Sequence, residues 1–89
     1  MGNNRAKKIM RTKEQIKRIA ELNECLFDAE FTLERMRLNV EAMRNYFAAD
    51  PYNQDKLANL HNAVVNYNWQ KDYVERVRKE FEQELLKED

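Results

Sequence analysis

Cys25 and His61 are the only thiol and the only imidazole in the chain. A thiol acts as a nucleophile when a base lies within hydrogen-bond reach, so these two residues are the sole material for a Cys-His dyad. Metal binding would have to draw on the same pair together with carboxylates. Glu21, Glu24 and Asp28, and Glu30 with Glu34, recur at three- and four-residue spacing. A di-metal helical bundle wants Glu-x-x-His on facing helices, and the residue three before His61 is Ala58. Lys and Arg are interleaved with the acids, the pattern of solvated helix faces. The single glycine, Gly2, leaves no Gly-rich loop to cradle a phosphate. The sequence therefore predicts no catalytic residue, no cofactor and no metal site, and a protein that is not an enzyme.

The elements that would carry these residues are helices. One glycine and one proline in 89 residues, with 36% charged, describe long solvent-facing helices rather than strands and turns. Thr12-Lys-Glu-Gln15 has the form of a capping box, in which the Thr12 hydroxyl and the Gln15 side chain satisfy each other's backbone amides. From there Ile19, Leu22, Leu26, Ala29, Leu33, Met36, Val40, Met43 and Phe47 alternate by three and four, a seam with no Gly or Pro inside it. Pro51 disfavours helix at Asp50, and Asp50-Pro51 reads as the N-cap and first turn of a second helix. That helix offers Leu57, Leu60, Val64, Tyr67, Val74, Phe81 and Leu85 at heptad spacing, with Lys71 and Arg78 at two seam positions. The predicted fold is all-α: a long antiparallel two-helix hairpin over residues 12–49 and 51–87, dimerising into a four-helix bundle.

The two seams share one register, which pairs Met43 with Leu57, Leu26 with Val74 and Ile19 with Phe81. It also sets Ala29 against Lys71 and Leu22 against Arg78, leaving the middle of the hairpin poorly filled, with Val77 as a substitute beside Arg78. In this register Cys25 is level with residue 75, roughly 21 Å from His61 at a rise of 1.5 Å per residue, too far for a dyad. Charge is laid out in opposition. Arg5, Lys7, Lys8, Arg11, Lys13, Lys17 and Arg18 crowd the N-terminal part, and Glu80, Glu82, Glu84, Glu88 and Asp89 the C-terminal part. The hairpin sets Arg18 opposite Glu82 and Arg11 opposite Asp89. Residues 1–11 form a basic N-terminal arm, partly disordered or a helical extension, and residues 12–89 the hairpin domain.

Positions facing away from the seam should be polar, and several are not. Phe27, Phe31 and Leu38 break the rule on the first helix, and Asn59, Asn62, Asn66, Trp69 and Tyr73 form one stripe on the second. The register brings Phe31 level with Trp69 and Phe27 level with Tyr73, a band of four aromatics around the middle of the rod. Large apolar groups left in water mark a contact surface, since burying them returns roughly 25 cal/mol per Å². Asparagine is a poor helix former, so three on one stripe point to hydrogen-bonding work. These eight residues are the expected partner or dimer interface.

The expected function is that of a small helical interaction protein, an adaptor, chaperone-like binder or inhibitor of another macromolecule, with itself as one partner and another protein as a second. The alternative is a nucleic-acid-binding or regulatory module using Arg5, Lys7, Lys8, Arg11 and Lys13, or a phage- or plasmid-type inhibitor of a host enzyme. The N-terminus MGNNRAKKIM lacks the apolar stretch of a secretory signal, and Ala6 stands where myristoylation of Gly2 wants Ser or Thr. No run approaches the roughly 18 apolar residues of a membrane span. A cytoplasmic location and no membrane partner are expected.

Overall fold

The computed structural model of the chain describes residues 11–87. They form two antiparallel α-helices, α1 over Lys13–Ala49 and α2 over Gln54–Leu86. No strand occurs among the described residues, and no helix there is long and apolar enough to cross a membrane. The expected two-helix hairpin is present, and of the hairpin domain expected over residues 12–89, residues 12–87 are described. Of the basic arm expected over residues 1–11, all but Arg11 lie outside the described residues.

Both helix starts are built by side chains. The Thr12 hydroxyl accepts from the Gln15 amide at 3.1 Å, and Gln15 Oε1 accepts from the Thr12 amide at 2.8 Å, so the capping box is complete. α2 begins three residues later than Pro51 suggested. Its N-cap is Asn53, whose Oδ1 accepts from the Lys56 amide at 3.0 Å, and Asp50 instead terminates α1. The reason is local. The residue before a proline avoids the helical region, and Asp50 sits at φ −149°, ψ 73° with its N–H on Phe47 O. Pro51 and Tyr52 then make the reversal, closed by Asn53 N–H to Asp50 O at 3.1 Å.

The α1 seam is as expected: Leu22, Leu26 and Ala29 are buried, and Ile19, Leu33, Met36, Val40, Met43 and Phe47 partly so. The α2 seam is not. Lys56, Leu60, Ala63, Tyr67, Gln70, Val74, Val77, Phe81 and Glu84 are its inward positions, again alternating by four and three. Leu57, Val64 and Leu85 are 45, 38 and 43% exposed, and Lys71 and Arg78 are exposed. The two readings share Leu60, Tyr67, Val74 and Phe81 and differ in whether the intervening layer comes from one residue earlier or later. One residue is about 100° of helix rotation, enough to move a side chain from core to flank.

Register shifts with the seam. On one side of the hairpin Cys25 Sγ meets Tyr73 Oη at 3.3 Å, and on the other Arg78 pairs with Glu30 at 2.6 Å. These flanking contacts straddle the seam and centre it on Leu26 against Val77 and Ala29 against Val74, three residues further along α2 than the expected pairing. The consequence is a correction to the chemistry of the middle layers. Ala29 faces Val74 rather than Lys71, and the middle is the driest part of the molecule, with Val74, Val77 and Ala29 at 2, 4 and 5% exposure. Leu26, Ala29, Val74 and Val77 form the core cluster, with Cys25, Leu33 and Phe81 packed on it.

The open end is held by polar contacts. Arg11 donates to the carbonyls of Leu85 and of Glu84, the latter also accepting from the Lys87 amide, and so ties the start of α1 to the last turn of α2. Arg18 pairs with Glu84 at 3.3 Å rather than with Glu82, and Asp89, the expected partner of Arg11, lies outside the described residues. The hydrogen bond from Lys87, and then that from Arg18, hold the Glu84 carboxyl below the ordinary glutamate range. A carboxyl whose folded pKa is depressed contributes stability above its unfolded pKa and loses that contribution as pH falls through the folded one. The expected result is a modest drop in melting temperature between about pH 5 and pH 2, weakened by Glu84→Gln, as followed by circular dichroism.

Candidate interaction surfaces

Each helix presents its seam to the other, and what remains is two flanks and two backs. The flank marked by Arg78 and Glu30 is charged and internally matched. Arg37 pairs there with Glu34 at 2.8 Å and Glu41 at 3.1 Å along α1. Hydrogen bonding to Arg37 lowers the Glu34 pKa, and the same contacts hold the Arg37 guanidinium more firmly protonated. Exposed pairs of this kind add little to stability and leave the surface comfortable in water.

The opposite flank is of another kind. Asn59, Asn62, Asn66, Trp69 and Tyr73 recur every three or four residues along α2 and fall within an arc of about 80° around its axis. All are exposed, Trp69 at 71% and Tyr73 at 38%. The stripe carries no charge from Asn59 to Tyr73 and ends at Arg76, whose guanidinium lies 5.6 Å from the Tyr73 ring centre. Cys25 ties this flank to α1. Its bond to Tyr73 pushes the phenol pKa up, with burial adding to it, so the phenol stays protonated beside the sulfur. Next to this contact an open groove runs between the helices, lined by Glu21, Glu24, Asp28, Thr32, Gln70 and Tyr73 among others.

Phe27, Phe31 and Leu38 are exposed at 70, 64 and 49%. Their faces, however, are not continuous with the stripe. Phe27 lies about 160° around α1 from Cys25 and about 60° from Glu30, which sets it towards the charged flank. Phe31 and Leu38 look out from the back of α1. The expected band of aromatics is therefore two separate surfaces, because Tyr73 shares a flank with Cys25 and Phe27 does not. No family model, no curated protein and no solved structure matches the chain.

Other candidates resolve simply. Cys25 touches Tyr73, which is twelve residues from His61, so roughly 18 Å of helix separates thiol from imidazole. No group of three or more metal-ligating side chains occurs among the described residues. Of the basic residues expected to meet nucleic acid, Arg5, Lys7 and Lys8 lie outside the described residues, Lys13 is exposed at the start of α1, and Arg11 is engaged by α2. Sequence reasoning missed Gln70, whose amide reaches Ala29 O at 3.0 Å from a seam position, and did not foresee the contact of Arg76 with the Tyr73 ring at the end of the stripe. Continuing the three-four spacing of the stripe by one step beyond Tyr73 leads to Arg76.

Proposed function

We propose that this protein is a non-enzymatic helical interaction module that associates with itself and with another protein through its outward aromatic surfaces. The observation that carries this reading is an inversion of size. The buried residues are Leu22, Leu26, Ala29, Ala63, Val74 and Val77, while Trp69, Phe27 and Phe31 stand in water at 71, 70 and 64% exposure. A single layer of contact between two helices buries little, and small domains are marginal for that reason. An aromatic side chain covers 150–250 Å² when buried, so covering the three exposed rings would add stability on the scale of the core itself. Both uncharged amides and aromatics are suited to such contacts.

Solution mass provides the test. The chain is expected to run as a dimer at tens of micromolar, and Trp69→Gln combined with Phe31→Gln to run as a monomer with its helical signal retained. Both positions are exposed, so the double variant keeps its hairpin core. A wild-type monomer of ordinary stability at that concentration overturns the self-association reading.

A further inference from the structure

We infer that the second copy docks on the uncharged α2 flank, with α2 against α2 in antiparallel pairing about a two-fold axis near Asn66, while the α1 aromatics face away. The inference rests on the self-association proposed above and assigns it to one surface. An isologous contact sets a surface against itself, so each group near the axis must be its own complement. A carboxylate fails that condition, and an asparagine amide, which both donates and accepts, meets it.

The two aromatic surfaces differ on this point. Around Phe27 and Phe31 stand Glu24, Asp28, Glu30, Glu34 and Arg35, with Glu30 and Glu34 already paired to Arg78 and Arg37, so a two-fold contact there would have to strip water from charges that are satisfied as they stand. The α2 stripe has only Asn, Trp and Tyr from Asn59 to Tyr73. Antiparallel pairing centred near Asn66 brings Asn62 within about one turn of the partner's Trp69 and Asn59 within about one turn of the partner's Tyr73. Indole N–H and phenol O–H then find amide oxygens while their rings leave water. The ends match in charge. The same register sets Asp55 beside the partner's Arg76, and neither residue has an ion pair among the described residues. A buried Asn is also a known means of fixing register between paired helices.

A charge-swap experiment on the full chain tests the assignment without depending on exact layer geometry. One variant carries Asn62→Asp with Asn66→Asp, the other Asn62→Lys with Asn66→Lys. Both positions are exposed, so helicity by circular dichroism should match wild type. Each variant alone is expected to self-associate at least about 100-fold more weakly than wild type by analytical ultracentrifugation, because like charges meet at the axis. An equal mixture should recover a mixed dimer by native mass spectrometry. Variants that each remain dimeric overturn the assignment while leaving self-association standing, as do two monomeric variants whose mixture stays monomeric. A monomeric wild type overturns both.

Discussion

Val77→Asp is expected to unfold the hairpin, whereas the same change at Val64 leaves it folded. Val77 is 4% exposed within the core cluster and Val64 is 38% exposed on the flank. Burying a carboxylate among Leu26, Ala29 and Val74 with no partner costs several kcal/mol after relaxation, or forces the group to protonate. A small two-helix protein has total stability at or below the lower end of about 5–15 kcal/mol, so that one substitution consumes most of it. The far-ultraviolet circular dichroism of Val77→Asp at 25 °C should approach that of an unfolded chain. Val64→Asp should melt within a few degrees of wild type. Equal damage at both sites would mean that α2 is rotated towards the frame containing Leu57, Val64, Lys71 and Arg78, and the seam assignment would fall.

Gln70→Leu is expected to stabilise the protein. Gln70 is half-buried at a seam position beside the core, and its amide donates to the Ala29 carbonyl at 3.0 Å. That carbonyl lies inside α1 and has a helical partner of its own, so losing the Gln70 bond orphans no acceptor. The neutral intramolecular hydrogen bond contributes about 1 kcal/mol, and an added leucine side chain buried between helices returns roughly 1.5–3 kcal/mol relative to exposure. With the site only partly closed, a net gain of about 1 kcal/mol follows, which in a domain of this size raises Tm by about 4–8 °C. Unchanged or lower Tm would show that Gln70 holds the Leu33 layer in register through its bond across the seam, and that its loss lets the helices slide.

Much of the fold was legible in the residues themselves. The Thr12 capping box, the α1 seam from Ile19 to Phe47 and the break around Pro51 are short-range or single-helix properties, and each needs only local geometry. Asp50 and Asn53 were harder to tell apart. Both are good N-cap residues and sit three apart, and the outcome turned on how tightly the chain could reverse through Pro51 and Tyr52. The candidate surface was legible as a set of exposed residues but not as a shape. Periodicity tells which side of its own helix Trp69 or Phe27 occupies, and it does not tell which sides of two helices end on the same flank.

The sequence by itself determined two long amphipathic helices, their antiparallel return and the outward placement of Phe27, Phe31, Leu38, the three asparagines, Trp69 and Tyr73. Only the tertiary structure decided which of two overlapping heptads on α2 faces inward. Leu57, Val64 and Leu85 are the larger and more apolar choice, and a helix taken alone favours them. Against α1 the choice reverses, because that frame carries Lys71 and Arg78 into the layers beside Ala29 and Leu22, where a charge would lose its water. Gln70 and Val77 take those positions instead, and Arg78 reaches Glu30 in solvent. The desolvation penalty of two cations outweighs the extra apolar area of three side chains left half-exposed. That rotation of about 100° also turns Tyr73 towards Cys25 and gives the Asn-Trp-Tyr stripe a flank of its own.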